Sequence, residues 1–528
     1  MPSIQPRWLA TTALGLLTPL TATSGVRASD LNLAGINRYA SSEQVTSIAQ
    51  FSDVKPTDWA YQALSNLIER YGCVAGYPDG TYKGGRAMTR FEAAALLNAC
   101  LDRVSEVTDE LKKLMAEFEK ELAILKGRVD GLEAKVGVLE AQQFSTTTKL
   151  GGQATMVLGG TAFSGNAINR SANAVNTASL GALPLSNAFT FNYDVQLNFD
   201  TSFNGKDLLR TVLRSGNFDG TRNSFGGGGP TKLSQLEVAF QEANGPNIVG
   251  IDRLFYQAPV GNGFTATVGG RVAQDDMLAL WPSVYPSATV LDVLTVNGAP
   301  MAYNKNLGAG VGLYWETNGW SLSGSYVAGN GAIGSPATGG IGTANATSSG
   351  TVQLGYQQEQ WGGAFLYSAV QNGGASYGTR YLMNALLAPS LTNAFALSGY
   401  WQPRQSGWIP SISAGWGFNS TTYNTAQAGV TPTTSQSWSV GLNWTDAVVK
   451  GNSAGMAFGQ APFTTAQSGG GSPNDANWLW EWWYSFQVTD NISITPALFY
   501  LSRPMGQETP GGQSFNQLGA LIKTQFTF

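Results

Sequence analysis

Between Phe189 and Phe203 the chain alternates side chains with a period of two. Phe189, Phe191, Tyr193, Val195, Leu197, Phe199 and Phe203 fall on one face, and Thr190, Asn192, Asp194, Gln196, Asn198, Asp200 and Ser202 on the other. Period-2 alternation predicts a strand whose faces meet different surroundings. A soluble sandwich core does not tolerate so many polar side chains on its buried face, whereas a water-filled lumen with hydrocarbon outside does. Asn204-Gly205 follows as a hairpin turn, and the next strand sets Arg210 and Arg214 on the polar face against Leu209, Thr211 and Leu213. The pattern returns through Leu236-Val238-Phe240, Phe264-Ala266-Val268, Ala309-Val311-Leu313-Trp315, then past Asn318-Gly319 into Trp320-Leu322-Tyr326. Ile412 to Phe418, Trp438 to Trp444, Trp478 to Phe486 and Ile492 to Tyr500 repeat it. So do the last eleven residues, where Leu518, Ala520, Ile522, Phe526 and Phe528 share a face with Thr524. The body therefore reads as an all-β transmembrane barrel of about 16 antiparallel strands, with 18 as the alternative.

A different period precedes it. Val104, Leu111, Phe118, Leu125, Leu132 and Leu139 recur every seven residues, and Thr108, Met115, Leu122, Val129 and Val136 sit four positions after each of the first five. This 4-3 spacing, flanked by charges such as Lys112, Glu119, Lys126 and Glu133, predicts a coiled-coil helix over 104–143, roughly 60 Å long. Residues 47–103 read as a small helical unit. A helix runs from about Asp58 to Tyr71, a turn follows at Pro78-Asp79-Gly80, and Thr89 with Glu92 has the spacing of a capping box opening a second helix. Residues 1–28, with Arg7, an apolar stretch from Leu9 to Leu20 and Val26-Arg27-Ala28, have the form of a secretory signal peptide.

Charge marks the boundary. By count, residues 1–143 hold 32 of the 64 charged side chains, and the 385 residues after them hold the rest. With 65 Gly and only 12% charged residues, the composition suits a barrel, and 15 Trp and 24 Phe exclude a disordered Gly/Ser/Asn-rich chain. The absence of histidine removes His-based triads and imidazole metal sites, so an enzyme is not expected and no cofactor or metal is implied. A net charge of −4 gives no footprint for nucleic acid.

Phe51-Ser52-Asp53-Val54, Trp59-Ala60, Gly76-Tyr77-Pro78-Asp79-Gly80-Thr81 and Thr89-Arg90-Phe91-Glu92 stand in the order of the S-layer-homology (SLH) domain family, which 47–103 resembles. The resemblance implies binding of peptidoglycan or a linked cell-wall polysaccharide. It places the contact at Arg90, whose guanidinium can pair a sugar carboxylate in bidentate fashion, beside Thr89 and Glu92 at the helix start. Trp59 either stacks on a sugar or packs in the core. Phe91 stands where the family usually has Ala, and the family's pockets tend to use three such units where this chain has one. A parallel trimer of the coiled coil would bring three together. Cys73 and Cys100 both fall in this unit and either form a disulfide in an oxidising periplasm or remain buried thiols.

The final strand, ending in Phe528, resembles the closing strand of bacterial outer-membrane barrels. SLH unit, coiled coil and barrel over 144–528 together resemble the cyanobacterial outer-membrane porins, often labelled iron-uptake porins and grouped with the carbohydrate-selective OprB-like porins. The resemblance implies an outer-membrane location surrounded by lipid, with the SLH unit in the periplasm, and passage of inorganic ions and small polar solutes. Specific iron binding finds no support in a barrel without His or Cys. By strand parity Asp194, Asp200, Arg210, Arg214, Glu237, Arg253 and Arg271 line the pore. If the arginines hold one wall and the acids the other, a transverse field crosses it. Gln274 to Pro282 interrupts the periodicity, and Asp275 and Asp276 sit in a loop that either folds inward as a constriction or caps the mouth. A second function class is a structural tether between outer membrane and cell wall. A plugged, gated transporter of about 22 strands would need a longer body, and an adhesin would carry a large passenger that is not seen.

Overall fold

The structure, a computed structural model, describes residues 147–167 and 188–528, except 230, 231, 287–289, 374–376, 406, 426–428 and 470, together with isolated positions between 52 and 81. The chain divides into two compact units, the larger carrying Phe144–Phe528. Trp59, Cys73, Thr89, Arg90, Glu92, Cys100, the heptad run and the signal-like start lie outside the described residues.

Sixteen antiparallel strands among the described residues close into a barrel in which each pairs with its sequence neighbour and β1 (Thr148–Ser164) pairs with β16 (Asn516–Thr527). In order, the strands between these are β2 (Phe189–Thr201), β3 (Leu208–Gly216), β4 (Gly250–Gly261), β5 (Phe264–Ala273), β6 (Leu307–Thr317), β7 (Trp320–Ala328) and β8 (Ser348–Gln357). They continue with β9 (Trp361–Gln371), β10 (Ser390–Trp401), β11 (Ser411–Tyr423), β12 (Thr431–Thr445), β13 (Ser453–Ser468), β14 (Trp478–Thr489) and β15 (Ile492–Ser502). Closure is what permits strands to cross hydrocarbon, since it leaves no unpaired edge amides. Burial follows the alternation: on β2 Phe189 and Phe191 are exposed while Asn192, Asp194 and Gln196 are buried. On β16 Leu518 and Ile522 are exposed while Gln517 and Lys523 are buried.

From β1 to β10, connections alternate between short turns at one end and long loops at the other. Asn318 (φ 46°) and Gly319 (φ 85°) form the two-residue hairpin expected between β6 and β7, both in the left-handed region that Asn and Gly tolerate. Trp320, Tyr356 and Trp361 cluster at this turn end, with ring centroids 4.7 and 5.5 Å apart, as part of an interfacial aromatic girdle. The β2–β3 connection holds Asn204-Gly205 within a longer turn, residues 202–207. There the Asp207 carboxylate accepts from the Ser202 hydroxyl and the Phe203 and Asn204 amides, and from the Tyr256 hydroxyl on β4.

One expected strand is absent. Leu236, Val238 and Phe240 lie in the β3–β4 loop, residues 217–249, where Leu236 and Val238 are buried in apolar packing. The glycine run Gly226 to Gly229 shortly before them is the signal that this segment is loop.

At the Asp207 carboxyl, partial desolvation raises the pKa, but the amide, Ser202 and Tyr256 hydrogen bonds outweigh it and lower it from 3.8 to about 2. Its stabilisation is then fully present above the ordinary value and is lost as pH falls through the folded one. Thermal scans of wild type and Asp207→Asn should differ at neutral pH and converge as pH falls toward about 2; a constant difference would contradict the assignment.

Candidate functional site: the inside of the barrel

The inward faces of the strands do not enclose open water along their length. Two long loops from the same end of the barrel run inside and are hydrogen-bonded to the inner wall. The β5–β6 loop, residues 274–306, begins as a short turn of 3-10 helix (Gln274–Met277). Gln274 donates to Thr351 on β8 and Ser368 on β9, and Ser323 on β7 accepts from the Ala279 amide. Ser413 on β11 accepts from the Val284 and Tyr285 amides, and Ser398 on β10 and Ser437 on β12 donate to the Asn297 and Gly298 carbonyls. Across the barrel, Glu481 on β14 accepts from the Tyr285 hydroxyl at 2.6 Å and the Leu291 amide at 2.8 Å, while Trp483 donates to the same tyrosine. Of the two readings open for this loop, it folds inward.

The wall is shaped to receive it. Small residues on inward positions let the loop backbone lie flat: a Cβ on Gly415 would run into the Asn297 carbonyl oxygen, and one on Gly441 would meet the Tyr285 ring. The β3–β4 loop lies alongside, with the Glu237 amide donating to the Val290 carbonyl and the Asp292 amide to Gln235. Together the loops make an apolar core inside a barrel: Phe225, Leu233, Leu236, Tyr285 and Leu291 pack with Val157, Leu479, Trp483, Phe499 and Leu521 from the wall. Most inward polar groups are therefore buried under loop. Asn192, for example, binds Asn217 and Asn223 of the β3–β4 loop, and on the polar face of β2 Thr190, Asn198 and Asp200 remain half-buried.

The charges gather on the wall formed by β2, β3 and β4 and on the loop stems facing it. Arg210 lies directly across from Asp200 in the strand register and holds it through two hydrogen bonds of 2.8 and 2.7 Å. Arg214 clamps the fully buried Asp194 at 2.7 and 3.1 Å, donates to the Val238 carbonyl, and stands 4.6 Å above the Phe240 ring. Arg253 joins Asp252 at 2.9 Å to Asp276 at 2.7 Å, and Asp276 also accepts from the Ala273 amide. Deeper among the loops, Lys305 bridges Glu237 at 3.4 Å and Asp292 at 3.1 Å, and the Tyr377 hydroxyl donates to Asp292.

Arginines and carboxylates thus share one wall in contact, and the anticipated transverse field between opposite walls is not what the residues form. Glu237, expected on a strand, lies in the β3–β4 loop. Arg271 sits beside a register shift between Gly269 and Val272, so simple parity does not set its side; its buried Nε has no hydrogen-bond partner among the described residues. Asp275, beside Asp276, is buried with Oδ1 unpartnered. Sequence reasoning missed Asp252, Asp292, Lys305, Glu481 and Tyr285. A shift in the β3–β4 register accounts for the first: Arg253 pairs with Val212 and Ile251 with Leu213, so Asp252 is the extra residue and joins Arg253 inside. The others owe their positions to loop packing, which leaves no periodic trace.

A closed sixteen-stranded barrel, apolar outside and with long loops folded into it, is the architecture of an outer-membrane porin. Residues 106–528 match the carbohydrate-selective porin, OprB family, and the chain belongs to that family. Residues 50–94 match the S-layer homology domain. An uncharacterized protein of Nostoc sp. (strain PCC 7120) is 34% identical over 553 aligned residues, covering 93% of this chain and 88% of its own. Outer membrane protein SlpA of Thermus thermophilus is 33% identical over 110 residues, 18% of this chain and 12% of that one. Among solved structures, Pseudomonas putida OprB at high pH aligns over 72% of this chain and 94% of its own, with 11% identity and a TM-score of 0.44. The protein is an outer-membrane porin with a cell-wall-facing SLH domain.

Gly415→Val should force the β5–β6 loop off β11, costing about 1–3 kcal/mol of barrel stability and raising single-channel conductance in planar bilayers. Arg214→Met should cost roughly 3–5 kcal/mol by leaving Asp194 buried and unpaired, read as a lowered denaturant midpoint in detergent; an unchanged midpoint would mean the clamp is dispensable.

Proposed function

We propose that this porin passes inorganic ions and small polar solutes by passive diffusion along the charged β2–β4 side of the barrel, through a passage too narrow for sugars of ordinary size. The observation that carries the reading is the inward course of the β5–β6 and β3–β4 loops. Their apolar packing occupies the β13–β16 side, while half-buried charged groups such as Asp200 and Arg253 remain on the other. Asp194, Arg210, Arg214 and Glu237 hold that lining in place, and Asp275 and Asp276 stand at the constriction. Pore radius and lining charge then decide what passes. The role is non-enzymatic and needs no cofactor, and specific iron binding is not part of it.

Outer-membrane lipid covers the outward apolar face, and the SLH unit holds peptidoglycan or a linked polysaccharide through Arg90, with Thr89, Glu92 and Trp59 beside it. Cys73 and Cys100 form a disulfide there. The heptads over 104–143 support a homotrimer, which would unite three SLH units; a monomeric mass by light scattering in mild detergent would refute it. The barrel's packed interior favours a second reading, a structural tether whose pore is secondary.

Planar-bilayer conductance combined with liposome swelling in sugars separates the readings. Small ionic conductance without sugar-driven swelling is the expected result, and swelling with common sugars would overturn the narrow-pore reading. Absence of conductance would leave the tether. Deletion of residues 47–143 should abolish envelope attachment while conductance persists.

A further inference from the structure

The ion pairs inside the barrel do not balance. On the β2–β4 wall and the adjoining stem of the β5–β6 loop, five carboxylates (Asp194, Asp200, Asp252, Asp275 and Asp276) face three guanidinium groups, an excess of two negative charges. Each guanidinium is committed: Arg210 to Asp200, Arg214 to Asp194, and Arg253 to both Asp252 and Asp276. In the neighbouring cluster Lys305 meets both Glu237 and Asp292, and across the barrel buried Lys523 lies in the field of Glu481. Counting Arg271 as interior leaves the sum acidic. The charges at the turn-end mouth, among them exposed Lys149 and Lys206 and half-buried Glu316, are open to screening by salt.

Among the described residues, Asp275 is the one of these five carboxylates held by no salt bridge. It is 6% exposed, its Oδ1 has no hydrogen bond among the described residues, and it acts electrostatically on both Arg253 and Asp276. Its neighbour Asp276 is tied to Arg253 and to the Ala273 amide. In a confined, low-dielectric passage an uncompensated charge acts on ions far more strongly than at an open surface. The apolar packing on the β13–β16 side disfavours an ion there and leaves the charged β2–β4 side as the more favourable surroundings.

We propose that the passage is cation-selective and that Asp275 is the side chain that sets its selectivity. The proposal rests on the porin reading. The acidic excess lowers the free energy of a cation at the constriction and raises that of an anion, and Asp275 supplies a carboxylate that no arginine holds in direct contact among the described residues. Asn at this position keeps the shape of the side chain and removes the charge, whereas Glu keeps the charge.

The test is the zero-current potential of the full-length protein in a planar bilayer across a tenfold KCl gradient, for wild type, Asp275→Asn and Asp275→Glu. Wild type should favour potassium over chloride. Asp275→Asn should lower the permeability ratio by roughly twofold or more, and Asp275→Glu should restore it. A wild-type potential of zero, or one favouring chloride, overturns the proposal. Cation selectivity unchanged in Asp275→Asn overturns the assignment to Asp275. If Asp275→Asn fails the heat-shift test for a folded barrel in electrophoresis, Asp275→Ser takes its place, and a permeability ratio unchanged in that variant likewise overturns the assignment. Absence of any current in wild type overturns the porin reading itself.

Discussion

Everything in this molecule follows from the requirement that backbone amides crossing hydrocarbon be satisfied within the protein. Sixteen strands meet it by closing on themselves through the β1–β16 seam, where twelve consecutive residue pairs run from Gln153 with Thr527 to Ser164 with Asn516. Closure at this strand number creates a lumen wider than side chains alone can fill. The chain fills much of it with its own loops. The outward face then has only to be apolar, and the inward face must serve two ends, holding loops on one side and leaving room for ions on the other.

The division of labour shows in residue type. Where loops dock, inward positions are small or hydroxylated: Ser323, Ser398, Ser413, Ser437 and the glycines at 415 and 441 supply hydrogen bonds and space without bulk. Where loops do not seal the wall, inward positions are charged and paired. A desolvated ion pair is weak as a source of stability, since removing charges from water offsets most of the attraction. It does fix geometry, and Arg214, which joins Asp194, Val238 and Phe240, pins the β3–β4 loop to the strands below it.

The barrel was legible because a strand between lipid and a polar lining writes a period-2 pattern into its residues. Phe189 to Phe203, Trp478 to Phe486 and the final strand carry it without a break. Leu236-Val238-Phe240 misled because a buried loop also wants apolar residues, and three in alternation need no strand. Asp252 was missed where a bulge breaks parity on β4. The interior of the barrel was the least legible part. Contacts such as Tyr285 with Glu481 join residues nearly two hundred positions apart, and nothing local in either segment announces them.

The apolar core inside the barrel carries a consequence for how the chain folds. Its members come from β1, from both inner loops, from Tyr377 between β9 and β10, and from β13 to β16, so it cannot exist until the last strands have joined the first. The loop residues Leu233, Leu236 and Leu291 have nowhere dry to go in a half-built sheet. Sheet closure and loop insertion are thereby one cooperative event with high contact order, slow by the general relation between topology and rate. Until it is complete, the nascent chain exposes apolar surface on both faces, and its survival depends on being shielded before the membrane receives it.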